Sequence, residues 1–377
     1  MRIINGCFIV LFLTMLILPL VFVDLSPDRV SAEENRMLAA CPDLADIKNH
    51  PKTFIRGFDA WFKDSTGFRE WLLVLYKKIT GMNSMRSGVK YTDGQYVILV
   101  GEQGHHYFAG IDGSLIPVFQ GKKILSDGQL MVMAEKLEAV KTYLDGKGIP
   151  FVVMFCTKKE SIYPEFYPKS IRPGPEPVQL DLITGYLREH TSVDVFNIRQ
   201  ALLAEKNNYL LYPVSGDAMA LSHYNLIGSF FAYRELMKHV NLHFREMIPY
   251  EMKDVDIEYG ENGIPLVSLK TEKVYQKLDP SFFDDVNYDN NQRLFNSAFE
   301  NTDPSLPVIL LLRDSYAEDF SKYVAQHFGK TIMIHFLNME HFDEYITRYN
   351  PDIVVFEAFE YLLDMFADSV AKIPELP

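Results

Sequence analysis

The sequence predicts an α/β protein built on a mostly parallel sheet flanked by helices, and three observations carry that expectation. Continuous apolar runs of strand length recur at Phe151 to Phe155, Val308 to Leu312, Thr331 to Phe336 and Ile353 to Phe356, as strands covered on both faces require. A helical stripe of Leu130, Met133, Leu137, Val140 and Leu144 runs from about Ser126 to Asp145 and is stopped by Gly146 and Gly148 just before the first of those strands. A second helical pattern, Tyr316, Phe320, Tyr323, Val324 and Phe328, follows the run that ends at Leu312. Helix, short glycine turn and apolar strand form the repeating unit of such a sheet.

The remaining elements follow in chain order. Ile3 to Val23 is a nearly unbroken apolar run of about 20 residues, long enough to cross a bilayer. Arg2 and the amino terminus precede it, so the positive-inside rule puts the bulk of the chain outside the cytoplasm. The alternative is a cleaved signal peptide; Val30-Ser31-Ala32 has the small residues of a cleavage site but lies far beyond the apolar run, which favours an uncleaved single-pass anchor in the cytoplasmic membrane. The expected domains are an anchor over 1–23, a connector and helical region over 24–90, and one α/β domain over 91–377. In the connector, Phe54, Phe58, Trp61, Phe62 and Phe68 keep a helical rhythm that breaks near Gly67. Tyr96 to Val100 reads as a strand, followed by a turn from Gly101 to Gly104 and the aromatic pair Tyr107-Phe108. Pro164 to Pro177 is a proline-rich loop. Glu251 to Pro304 is polar, with a hairpin signal at Asn262-Gly263, and is expected to be an irregular insertion contributing to a substrate groove.

Charge and cysteine usage narrow the function. The 377 residues carry 37 basic and 50 acidic side chains, a formal net charge of −13. That balance argues against nucleic acid or anionic headgroups as partners. Cys7 falls in the apolar run; Cys41 and Cys156 allow one disulfide, but Cys156 ends a strand pattern and suits a small buried position better. No cysteine and histidine set has zinc spacing, and the adjacent His105 and His106 would point to opposite faces of a strand.

Chemistry concentrates in two short segments. Leu310 to Arg313 leads into Asp314-Ser315 and then a helical pattern, placing a serine at a sharp strand-to-helix corner. There its hydroxyl is exposed and its backbone N–H lies at a helix start, a geometry suited to a nucleophile whose oxyanion needs donors. Far upstream, Ser222-His223-Tyr224-Asn225 supplies a histidine ahead of a second helix, the natural base for that serine. Each segment also has a plain reading: Asp-Ser is a common helix cap, and His223 could simply start a helix capped by Ser222. Asn225 could fix the loop or help bind an oxyanion. Lys159, in the loop after the strand at 151–155, could meet an acidic polymer or stand as a solvated lysine. Glu357 and Glu360 read as surface or helix-start residues rather than acid–base groups.

Read in order, these segments resemble the alginate O-acetyltransferase AlgJ/AlgX family of extracytoplasmic, SGNH-hydrolase-like proteins. The resemblance starts at Glu34-Asn35-Arg36 with Pro42, and continues through Phe58-Asp59-Ala60-Trp61-Phe62-Lys63-Asp64 and Gly67-Phe68-Arg69. It passes through Val97-Ile98 with Gly101 to Phe108, then Gly148 to Val153 and Lys159 to Glu165. The family's Asp-x-His-Trp-Asn block is similar to Leu221-Ser222-His223-Tyr224-Asn225, with Gly228 and Tyr233 in place. Its Gly-Asp-Ser block is similar to Arg313-Asp314-Ser315, and its closing strand to Pro351 through Glu357. The resemblance implies an SGNH-like parallel sheet, Ser315 as acyl-accepting nucleophile, His223 as general base, and no metal or cofactor. It also implies a polysaccharide acceptor and a membrane-bound O-acyltransferase as partner supplying the acyl group.

Three positions depart from the family pattern. Leu221 stands where the aspartate that orients the histidine is expected, leaving Asp217 either to reach back as its substitute or merely to make a turn after Gly216. Arg313 replaces glycine and could stabilise an oxyanion, grip a carboxylated sugar or block the backbone approach. Tyr224 replaces tryptophan and keeps an aromatic wall for a sugar ring. The expected function is an extracytoplasmic O-acetyltransferase acting on a cell-surface or secreted polysaccharide through a serine acyl-enzyme. A non-catalytic polysaccharide-binding or assembly subunit is the alternative, and an esterase differs only in using water as acceptor.

Overall fold

A computed structural model describes residues 90–260 except 95, 264–273, 275–283 and 296–377, together with 46–49, 51–69 and parts of 8–44. Two compact units are resolved by their internal contacts, Met1–Met85 and Arg86–Pro377.

In the first unit, helix α1 (Pro51–Ser65) carries the aromatic rhythm read from the sequence, with Phe58 stacked on both Phe54 and Phe62. Asp64 accepts a hydrogen bond from the Ala39 N–H at 2.8 Å, tying the connector to this helix. Most of the run from Ile3 to Val23 lies outside the described residues; among those described, no helix is long and apolar enough to cross a membrane.

The second unit begins with a three-stranded antiparallel sheet, β1 (Lys90–Asp93), β2 (Tyr96–Val100) and β3 (His106–Ile111). After it, helix α2 (Asp127–Asp145) starts at a capping box in which Ser126 and Gln129 satisfy each other's backbone donors. It leads through Gly148, whose φ of +73° suits glycine, into β4 (Phe151–Cys156). Then come α3 (Gln179–His190), β5 (Asp194–Asn197), the short α4 (Ala218–Ser222) and α5 (Leu226–Asn241). A polar hairpin, β6 (Val255–Tyr259) with β7 (Pro265–Leu269), is followed by β8 (Tyr275–Lys277) and β9 (Ser297–Asn301). The chain closes with β10 (Val308–Arg313), α6 (Glu318–Val324), β11 (Lys330–His335), α7 (Phe342–Tyr349), β12 (Ile353–Phe359) and α8 (Leu363–Ala371).

The central sheet has seven strands in the order β8-β9-β11-β10-β12-β4-β5. From β11 to β5 they run parallel, and β9 and β8 add an antiparallel edge. Alternate residues of each central strand enter different cores. Leu310, Leu312, Val354, Phe356, Phe151 and Val153 face the layer holding α2, α3 and α8. Ile309, Leu311, Ile353, Val355, Val152 and Met154 face the layer of α5 and α6. Two buried faces explain why these strands read as unbroken apolar runs, each aliphatic side chain contributing about 1.5–3 kcal/mol of burial.

The described parts of the segment 251–304 are not the irregular insertion that the sequence suggests. They form the β6–β7 hairpin and two strands of the main sheet; β6, β7 and β8 have a solvated face, whereas β9 is largely buried. The Asn262-Gly263 signal lies outside the described residues. Cys41 is exposed and Cys156 buried in β4, and neither forms a disulfide.

Candidate active site

Strand β10 lies between β11 and β12 and ends at Arg313, so Asp314 and the residues after it emerge at the carboxyl edge of the parallel strands. A single 3₁₀ turn, Ser315–Ala317, makes the corner into α6. Asp314 builds that corner. One of its carboxylate oxygens accepts the Tyr316 N–H at 2.8 Å and the other the Phe359 N–H at 2.6 Å, locking the end of β10 to the end of β12. The Asp314 N–H in turn donates to Glu357 at 3.2 Å. Both acids are fully buried, and burial pushes each above the usual carboxylate range. Two N–H donors and the neighbouring Arg313 favour the anion at Asp314, which leaves the proton on Glu357. Ser315, by contrast, is exposed. Its N–H sits at the first position of the turn, where no intrahelical acceptor exists, and is available to an oxyanion.

His223 arrives from the other direction. It is the C-cap of α4, and two residues later Asn225 caps α5 by accepting the N–H groups of Ile227 and Gly228, each at 3.0 Å. The first turn of α5 packs closely on the preceding loop: a Cβ on Gly228 would meet the Leu211 carbonyl and lie 2.8 Å from the Tyr224 Cβ. The loop is further pinned by hydrogen bonds from the Tyr224 hydroxyl to the Tyr316 carbonyl at 2.6 Å and from the Tyr316 hydroxyl to the Ser222 carbonyl.

These constraints place the His223 Nε2 at 2.8 Å from the Ser315 Oγ. The imidazole also stacks on Tyr316, with ring centroids 4.8 Å apart. Its other nitrogen, Nδ1, lies 3.2 Å from the Met219 carbonyl and 2.9 Å from the Ser222 hydroxyl, which itself donates to the Met219 carbonyl at 2.8 Å. A carbonyl can only accept, so these partners assign the proton to Nδ1 and leave Nε2 to accept from Ser315. That is a serine–histidine pair with a peptide carbonyl in the place of an acid. Two nearby carboxyls, Asp314 and Asp319, sense the imidazole charge: burial pushes each up and His223 opposes the shift.

Other expectations for the site are corrected by the structure. Asp217 does not reach the imidazole; its carboxylate caps α4 by accepting the Ala220 N–H at 2.8 Å. Arg313 is buried, donating to the Asp314 carbonyl at 2.9 Å and pairing with Glu318, so it faces neither oxyanion nor sugar. Tyr224 is fully enclosed and supports the loop rather than forming a wall. Asn225 spends its side chain on the cap and on the Leu210 carbonyl at 2.6 Å, fixing the loop and leaving the oxyanion to others. Lys159 is neither solvated nor accessible to a polymer. Its ammonium donates to the carbonyls of His106, Pro213 and Val214, an arrangement that uses all three of its N–H groups, although burial pulls its pKa down to about 7. Glu357 and Glu360 are wholly buried, not surface residues.

The pair opens into a cleft of about 600 Å³ whose walls include Tyr96, Phe108, Met219, Phe359 and Tyr361. Sequence reasoning passed over these residues. The adjacency of Tyr316 to Ser315 and the unexpected Glu357 inside an apolar strand were the available signals, since a carboxyl in a doubly covered strand must have a built partner.

Comparison with known proteins bears on the fold. No protein-family profile and no curated protein matches the chain. Solved structures do. A DHHW family protein from Eubacterium siraeum superposes with a TM-score of 0.52 at 12% identity, over 76% of this chain and 99% of that one. PatB1 of Bacillus cereus, determined with a sulfonyl adduct, gives 0.53 at 13% identity over the same shares of the two chains. The neighbours also include the O-acetyltransferase domain of Pseudomonas putida AlgJ, at a TM-score of 0.42 and 12% identity over 73% of this chain and 98% of that one. The fold is that of PatB1 and the DHHW family protein.

Proposed function

We propose that the protein is an extracytoplasmic O-acyltransferase that acetylates a cell-surface or secreted polysaccharide through a Ser315 acyl-enzyme. The observation that carries this reading is the 2.8 Å contact between the His223 Nε2 and the exposed Ser315 Oγ. The sulfonyl adduct held by PatB1, a protein of the same fold, and the sequence resemblance to the AlgJ/AlgX family support it.

In the first half-reaction, Nε2 takes the Ser315 proton as Oγ attacks the carbonyl carbon of an acyl donor. The Ser315 N–H faces the developing oxyanion. Collapse expels the donor's leaving group, which receives the proton from His223, and Ser315 keeps the acyl group. In the second half-reaction a sugar hydroxyl gives its proton to His223 and attacks the ester, and the proton returns to Ser315. Throughout, Nδ1–H stays on the Met219 carbonyl, which orients the ring but supplies no full negative charge. Such a pair operates below the rate of a complete triad, whose acid contributes roughly 10⁴ in kcat. The acyl donor in this scheme is a membrane-bound O-acyltransferase, and the run from Ile3 to Val23 serves as the anchor that holds the enzyme beside it.

A non-catalytic binding subunit is the second reading, favoured by one feature: the His223 Nδ1 meets a carbonyl and a hydroxyl instead of a carboxylate. Turnover of para-nitrophenyl acetate separates the two. The enzyme reading expects a rate above buffer that Ser315→Ala reduces to background; equal rates for the two proteins would leave the binding reading standing.

A further inference from the structure

We propose, building on the acyl-transfer reading, that the cleft beside Ser315 selects an uncharged glycan as acceptor and rejects polyuronates. Among the described residues, the cations at and just after the carboxyl ends of β4 and β10 are engaged elsewhere. Lys159 is consumed by three backbone carbonyls, Arg313 by Glu318 and the Asp314 carbonyl, and Lys158 by Glu360 at 3.3 Å. Each of the three is buried. Among the described residues that line the cleft there is no lysine or arginine, whereas Asp93 and Asp217 both stand there. Each aspartate uses one oxygen to accept a backbone N–H, from Ala218 at 2.9 Å and from Ala220 at 2.8 Å, which fixes its negative charge at the cleft. A sugar carboxylate entering this space would meet like charge with no counter-ion.

The cleft offers rings in place of cations. Tyr96, Phe108, Tyr361 and Phe359 form a row with successive centroid separations of 5.4, 6.3 and 4.8 Å. The row continues through Tyr316, 3.9 Å from Phe359, to the His223 imidazole. Tyr96, Phe108 and Tyr361 are half-buried, so each presents part of its ring to the space. Partly exposed aromatic rings, tilted or edge-on to one another and leading to a general base, suit the C–H faces of successive sugar rings, with a hydroxyl of the last ring delivered to Nε2.

The test uses the full chain acetylated with para-nitrophenyl acetate, freed of excess ester and mixed with short oligosaccharides. One set is neutral, β-linked glucose, mannose and xylose; the other is oligomannuronate and oligogalacturonate. Loss of acetyl from Ser315 and its gain by the sugar are followed by mass spectrometry. At least one neutral oligosaccharide is expected to discharge the acyl-enzyme about tenfold faster than either uronate. A uronate that discharges it as fast or faster, or neutral sugars no faster than water, overturns the inference while leaving the acyl-enzyme intact. Failure to acetylate Ser315 at all would instead count against the catalytic reading itself.

Discussion

Ser315 and His223 meet because two independently capped corners are aimed at one another. Asp314 holds the first and Asn225 the second, and the Tyr316 hydroxyl joins them. His223→Ala removes the only group within hydrogen-bond distance of the Ser315 Oγ among the described residues, and should lower acyl-ester turnover by about a thousandfold or more. Asp217→Ala should behave differently. It removes the cap of α4, costing about 1 kcal/mol in a denaturant titration, while turnover falls by less than about tenfold. A thousandfold loss in that variant would restore Asp217 to the role of orienting acid. The pairing of Ser315 with His223 was legible from the sequence because their residue types and flanking caps are local signals. The orienting group was not, since a main-chain carbonyl carries no residue signature and the loop geometry that presents Met219 is a tertiary property.

At the scale of elements, the site depends on the carboxyl ends of β10 and β12 being tied through one side chain. Asp314→Asn retains a single acceptor oxygen, so one of the buried N–H groups of Tyr316 and Phe359 would face an amide NH₂. A loss of roughly 1–3 kcal/mol in unfolding free energy is expected, together with a fall in acylation rate as the Ser315 corner loosens; unchanged stability would mean the corner is held by other contacts. The parallel strands were evident in the sequence because both of their faces are apolar. Strands β6, β7 and β8 were obscured by the opposite circumstance: edge and hairpin strands with a solvated face carry the polar composition of loops, while the largely buried β9 was obscured by its Ser, Glu and Asn residues. Lys159 and Glu357 were misplaced for a related reason. Charge normally marks the surface, and only the fold supplies the three carbonyls for Lys159 and the Asp314 N–H for Glu357 that let these two lie inside.

The whole molecule stores a cost in its buried acids that makes stability depend on pH. Glu160 is enclosed, hydrogen-bonded by the Tyr361 hydroxyl and faced by Lys158, Lys159 and Glu360, and burial pushes its carboxyl up to about 7. A folded-state value above the unfolded one means that the folded chain binds more protons between the two. The stabilisation is therefore complete below about 4.5 and is lost as pH rises to about 7, by at most about 1.4 kcal/mol per pH unit. Thermal melts should show the wild type losing stability relative to Glu160→Gln between about pH 5 and 7, the difference cancelling the opposite contribution of the buried His105, His327 and His335; parallel profiles for the two proteins would mean that Glu160 is ionised throughout.

Acyl transfer by this protein requires Ser315 to become an ester. The most direct measurement is rapid-quench mass spectrometry of the wild type, Ser315→Ala and His223→Ala after brief exposure to para-nitrophenyl acetate, with peptide mapping of any adduct. One acetyl group on Ser315 of the wild type, none on Ser315→Ala and strongly slowed labelling of His223→Ala are predicted. An adduct that maps elsewhere, or equal labelling of all three proteins, would contradict the account.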